Sequence, residues 1–429
     1  MKKLTSTFLI AGVMILMTSC ADAGKQNKDA KNHLTIDDNN AGLILPEGFS
    51  AFKAADDLGR ARHIAVTQNG DIYVKLGRTV NGQGVLFLTD SNKDGIMDEQ
   101  SGFGDYGGTG IYLTNDYLYA SSNETVYRYQ LNENQKVINP DHPEVVVTGL
   151  IDRRQHNSKS ITLDDAGFIY VNIGAYSNSC QEKDRTQGSP GIDPCPILDS
   201  AGGIWRFKAD GLNQSYGDGI RYATGLRNVV GLDWNRQINQ LFVMQHGRDQ
   251  LHDLFPDLYD TETSAILPSE AMYMVQEGDN CGWPYTYYDQ VQKKNILSPE
   301  YGGDGKKEGN PDFLDPVIAF PGHLAPNALL FYTGDMFPNK YKNGAFVAFH
   351  GSWNRAPEEQ EGFYVVFAPF KDGKPTGEWE VFADNFAGVE HVMSPRDAEH
   401  RPCGLAQGPD GSLYVSDDVK GTIYRILYK

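Results

Sequence analysis

Three short segments gather residue types that move protons, grip carboxylates or hold cations. RRQHNSKS, from Arg153 to Ser160, sets His156 just ahead of a strand-like stretch that begins at Ile161. An imidazole can serve there as a general base, because its unperturbed pKa lies near neutral pH. The competing reading is a solvated loop histidine. YATGLRNVVGLDWN, from Tyr222, puts Arg227 and Asn228 in the same place relative to the next strand. A guanidinium grips a carboxylate with two parallel donors, although Arg227 could equally pair with a surface acid. MQHGRDQLHD, from Met244, leaves a strand through Gly247, where backbone carbonyls can turn toward a hard cation or simply make a turn.

The elements that must carry these residues are repeated hairpins. HIAVTQNGDIYVKL from His63, ITLDDAGFIYVNI from Ile161, GLDWNRQINQLFVMQHG from Gly231 and GLAQGPDGSLYVSDD from Gly404 share one plan. An apolar strand runs into a polar turn with glycine or asparagine, then an aromatic-aliphatic strand follows. Such turns need a positive φ, and alternation such as Ile-Tyr-Val buries one face. Further strand-like stretches start at Tyr117, Gly344 and Gly421. Recurrence at roughly 40 to 60 residues without a long amphipathic helix predicts an all-β, six-bladed β-propeller over residues 43–429. Loops entering the first strand of a blade project toward the central channel, so the segments above are expected to share a cavity.

Residues 1–20 read as an export signal. Lys2 and Lys3 precede an apolar run from Phe8 to Met17, and Met17-Thr18-Ser19-Cys20 has the form of a lipobox that ends in a lipidated Cys20. Residues 21–42 are expected to be a polar tether. The implied product is an exported lipoprotein, periplasm-facing or at the cell surface, that meets membrane only through its lipid. Formal net charge is −18, which argues against nucleic acid and anionic lipid partners. In an oxidising compartment Cys180 and Cys195, about fifteen residues apart in a Gly- and Pro-rich loop, are expected to form a disulfide. Cys281 and Cys403 are left open as a second pair. Asp90, Asn92, Asp94 and Asp98 in DSNKDGIMDE resemble the start of a calcium loop, with an acidic hairpin tip as the alternative. WPYTYYD, from Trp283, could stack sugars or form a blade edge.

LPEGF at Leu45, TGLRN at Thr224, QHG at Gln245, EGDNCGWPY at Glu277, FHGSWNR at Phe349 and RPCGLAQGPDGSLYVSDD at Arg401 occur in that order. Together they resemble the soluble glucose and sorbosone dehydrogenases that use pyrroloquinoline quinone (PQQ), a six-bladed propeller family, with the sorbosone-like branch matching better. The resemblance implies a sugar or sugar-aldehyde substrate, hydride transfer to the quinone and His156 as general base. It implies PQQ held by Arg227, Asn228, Arg355 and Arg401, with Arg227 also polarising the reacting carbonyl. It implies Ca2+ on the backbone carbonyls of Gly247 and Arg248. Gln155 departs from the glucose-oxidising branch, which has an acidic residue just before the base. The rival readings are a calcium-dependent lactonase of the same architecture and a propeller that binds glycans or proteins without catalysis. The electron acceptor has no signature in the sequence.

Overall fold

The computed structural model describes Leu34 and residues 37–429. The expected signal, Cys20 and most of the expected tether lie outside these residues. The end of that tether is less independent than expected: Asn40–Gly42 forms one helical turn, and the Asn40 side chain accepts from the Ala51 amide at 3.2 Å.

Six sheets make the propeller, each with four antiparallel strands, and blades 2 and 3 add a two-residue fifth strand in parallel, Gln214–Ser215 and Asp279–Asn280. Blade 1 runs through Ala61–Val66, Ile72–Val80, Gln83–Thr89 and Glu99–Phe103. Blade 2 uses Ile111–Leu113, Tyr117–Ser121, Thr125–Gln130 and Glu144–Thr148. Blade 3 uses Ile161–Leu163, Phe168–Ile173, Gly203–Lys208 and Ile220–Thr224, and blade 4 uses Val229–Asn235, Gln240–Gln245, Glu270–Val275 and Ile318–Phe320. Blade 5 comprises Pro326–Phe331, Ala345–Phe349, Tyr364–Ala368 and Glu380–Ala383. Blade 6 joins Pro402–Gln407, Leu413–Asp417 and Ile423–Tyr428 to Phe49–Ala55 from the other end of the chain.

The first strand of every blade packs against the first strands of both neighbours, so these six strands surround the axis. The repeated turns work as the sequence implies. Gly70, Gly167 and Gly411 stand at φ near +90°, and Asn239 takes the same role at +55° in blade 4. Phe49 on the closing strand meets Phe337, Phe382 and Tyr341 edge-on, with ring centroids 4.8, 5.0 and 5.4 Å away. Such pairs contribute about 0.5 to 1.5 kcal/mol each beyond area burial, which fastens blade 6 to blade 5.

Chain direction then fixes where chemistry can gather. The approach to each first strand and the exit from each second strand lie at one end of the ring. His156, Arg227 and Arg401 precede first strands, while Gly247 and Arg355 follow second strands.

Candidate active site

A cavity of about 280 Å³ opens at that end among blades 3, 4 and 5. His156, Arg227 and Gly247 line it, together with Arg185, His246, Asp249, Glu270, His323, Trp353 and Asn354. The base candidate sits on a tight approach. His156 has φ +52°, and a Cβ on Gly174 would stand 2.4 Å from the His156 carbonyl, so only glycine lets this loop lie against blade 3. Holding a non-glycine residue in the left-handed region costs on the order of 1 to 2 kcal/mol, a strain typical of functional sites.

The His156 ring is oriented by the chain. Its Nδ1 lies 2.5 Å from the Ala175 carbonyl, which assigns the proton to Nδ1 and leaves Nε2 as an acceptor. Burial, reinforced by the Arg227 charge, lowers its pKa to about 3, so the imidazole is neutral at physiological pH. His246 is held at about 3 by the same two causes.

Arg227 is 3% exposed and makes two bonds across blade 4. One guanidinium nitrogen donates to the Gly247 carbonyl at 2.8 Å and another to Asp249 Oδ2 at 2.6 Å. Its Nε is buried without a partner. Asp249 also receives Arg185 at 2.6 Å on Oδ2 and Asn354 Nδ2 at 2.9 Å on Oδ1. Burial alone would raise the Asp249 pKa, but Arg227 and then Arg185 outweigh it and hold the carboxyl well below its usual range. Glu270 goes the other way: burial raises it to about 8 although it accepts from the Gly247 and Ala325 amides.

The other expected site residues lie elsewhere. Asn228 is buried and does not line the cavity, and its side-chain oxygen accepts from Asn172 Nδ2 at 3.3 Å. Arg355 does not reach the cavity, because its guanidinium donates to the Glu359 and Ala265 carbonyls and to Glu361. Arg401 is likewise spent on the carbonyls of His350 and Gly351, tying blade 6 to the loop of blade 5. Both stand at the right end of the ring, with side chains directed to their neighbours.

The calcium expectation meets the same competition at Gly247. The Gly247 carbonyl already accepts from a guanidinium, whereas among the described residues no hydrogen bond engages the Arg248 carbonyl and the Arg248 side chain pairs with Glu300 at 2.7 and 2.8 Å. A cation on the Gly247 oxygen would face the Arg227 charge, so this arrangement does not fit Ca2+. In the Asp90 loop, Asp90 accepts from the Asp94 and Gly95 amides and Asp98 from Ser91, which makes it a self-capped hairpin tip. Among the described residues no cluster of three His, Cys, Asp or Glu side chains is placed to hold a metal.

Cys180 and Cys195 are joined, with Cα atoms 6.2 Å apart, whereas Cys281 and Cys403 are buried and unpaired. WPYTYYD serves neither expected role. Trp283 is 4% exposed and donates to the Asn178 carbonyl, and Tyr285 accepts from the Cys195 amide, so the segment supports the disulfide loop from beneath. The aromatic side chain at the cavity mouth is Trp353, 55% exposed.

The residues present suit a planar anion better than a metal. Two guanidinium groups face one carboxylate, a buried Arg227 Nε lacks an acceptor and the cavity mouth carries an indole face. PQQ, a flat tricarboxylate, fits that donor set.

Comparison with known proteins points the same way. A PQQ-dependent pyranose dehydrogenase of Coprinopsis cinerea is 27% identical over 241 residues, covering 49% of this chain and 31% of that protein, well under two thirds of its length. A PQQ-dependent sugar dehydrogenase of Hypocrea jecorina is 23% identical over 339 residues, 74% of this chain and 73% of that one. The holo PQQ domain of the Coprinopsis cinerea enzyme superposes with a TM-score of 0.69 at 20% identity, over 90% of this chain and 97% of that structure, which shows a shared fold. The family model described as TrAA12-like matches residues 43–429, the whole propeller, and the chain belongs to that family.

Proposed function

We propose that this protein is a PQQ-dependent oxidoreductase that oxidises a sugar or sugar aldehyde, with His156 as the proton acceptor. One observation carries the reading: the neutral His156 ring, with Nε2 left as an acceptor, shares a cavity with a buried arginine that has an unpaired donor. A bound quinone supplies the acceptor for the hydride that leaves the substrate carbon. His156 Nε2 takes the hydroxyl proton, while the Ala175 carbonyl keeps the ring from rotating. Arg227 binds and orients an anionic group from the cavity floor, and Trp353 offers an apolar face at the mouth.

His156 is a weak base first because it is buried and second because the Arg227 charge, only partly offset by Asp249, lies beside it. A carboxylate against Arg227 offsets more of that charge and strengthens the base. The relatives support a sugar substrate through their names, and the sorbosone-like choice rests on the sequence resemblance alone. Reconstitution of the apoprotein with PQQ, followed by dye reduction with a panel of aldoses and aldonolactones, tests the reading. Quinone-dependent dye reduction is expected. Lactone hydrolysis without it would replace this proposal with the hydrolase.

A further inference from the structure

The sequence offered three arginines for an anion, and the structure supplies a different one. Arg185 belongs to the loop closed by the Cys180–Cys195 disulfide. The first part of that loop and the residues just before it are clamped to the site. Asp184 accepts from Gln155, the neighbour of His156, at 2.8 Å and from Ser177 and the Asn178 amide. Asn178, fully buried, exchanges a reciprocal pair of bonds with the Asp249 backbone. Arg185 then reaches Gln250 with one nitrogen and Asp249 Oδ2 with another.

Arg185 and Arg227 therefore share one oxygen of one carboxylate. One carboxylate, Asp249, stands between two guanidinium groups, and burial pushes Glu270, the other acid in the lining, toward its neutral form, so the cavity retains a positive charge in a protein whose formal net charge is −18. The two arginines sit at different depths: the Arg227 side chain is 4% exposed and that of Arg185 28%. Without Arg185, Asp249 would pair with Arg227 alone and the floor would become neutral.

We propose that Arg185 is the residue that sets the anion affinity of this cavity: by drawing on Asp249 it leaves the Arg227 charge for a polycarboxylate, and it offers its own guanidinium at the mouth. This deepens the functional reading above, since it names the chemistry of the ligand as a planar carboxylate bearer. Arg185 acts on Arg227 through Asp249 and is to that extent a positioning residue.

The test measures binding in metal-free buffer by quenching of tryptophan fluorescence and by calorimetry, with PQQ alone and with trimesate alone as probes. R185Q and R185M are compared with wild type and with R185K, after melting curves establish that each variant is folded. The expected result is a loss of at least about tenfold in affinity in R185Q and R185M, a weaker dependence on salt, and recovery of most of both in R185K. Should R185Q and R185M both unfold, R185K alone decides: a folded R185K must bind near wild-type affinity with wild-type salt dependence. Equal affinity of wild type and R185Q for both probes, including binding of neither, overturns the proposal, as does an R185K no better than R185Q. Arg185-dependent binding of trimesate by a protein that ignores PQQ would remove the quinone reading and keep this one.

Discussion

Asn178 and Asp249 hold each other by a reciprocal pair of hydrogen bonds: the Asp249 amide donates to the Asn178 carboxamide oxygen at 2.8 Å, and its nitrogen donates to the Asp249 carbonyl at 3.0 Å. The residues lie on different blades, so this pair couples the disulfide loop of blade 3 to the strand exit of blade 4. It explains how a surface loop can place a guanidinium with the regularity of a core element.

Asn178→Leu removes both bonds and leaves the buried Asp249 amide without an acceptor, while the Asp249 carbonyl keeps its bonds from the Arg248 guanidinium. The expected cost is about 1 to 3 kcal/mol. Chemical denaturation reads it directly, and a variant as stable as wild type would show that the pair does not bear on the fold.

His156→Gln keeps a polar side chain on the approach to blade 3 but cannot take up a proton. Turnover with quinone and sugar is expected to fall by about 10² to 10⁴. Quinone affinity, measured separately by fluorescence, should stay within a few-fold. Full turnover in this variant would assign proton acceptance to another group.

Stability should fall on mild acidification. Burial lowers His156 and His246 to about 3 and His63 to about 4, and also lowers His323 and His350. Their unfolded values lie near about 6.5, so below that pH the unfolded chain binds protons that the native state refuses. The stability these neutral rings allow is complete above about 6.5 and is lost as pH falls toward their folded values. Glu270, raised to about 8, and Asp233, raised to about 6, act in the opposite sense. Five imidazoles outweigh two carboxyls. The melting temperature is expected to drop between pH 7 and pH 5, and a flat or rising profile would contradict the assignment of neutral histidines.

Cys20 is expected to be the lipidated N-terminus of the mature protein. Mass spectrometry of material from its native membrane should find a diacylglyceryl group there, and Cys20→Ser should release the protein from the membrane fraction. An unmodified terminus elsewhere in the chain would end the lipoprotein reading.

The sequence reveals the ring more fully than the site, for physical reasons. A hairpin is local: Asn69-Gly70 or Asp410-Gly411 forces a turn wherever it occurs, and strand alternation names the buried face. Blade 2 is fainter because its first turn, at Asn115-Asp116, has no glycine. The channel end to which His156 and Arg227 belong follows from their position ahead of first strands. Side-chain direction does not. Arg355 and Arg401 stand at strand ends like Arg227, but nearby carbonyls claim them, and carbonyl positions are not written in residue types. Arg185 and Asp249 were hidden for the converse reason. They are 64 residues apart and meet only because a disulfide loop folds over the blade 4 exit. The signal that could have found Arg185 was its place inside the Cys180–Cys195 span, a segment constrained enough to hold a charged side chain still.

The sixth blade takes three strands from the end of the chain and its fourth from Phe49–Ala55. As the chain emerges N-terminus first into the compartment where its disulfide forms, the ring therefore stays an open arc until Ile423–Tyr428 arrives, long after every residue that lines the cavity. The disulfide loop, the two arginines and the histidine can settle against blades 3 to 5 while the first strand waits unpaired. Its exposed edge, with Phe49 and Phe52 beside it, is then the part of the nascent protein most in need of a chaperone.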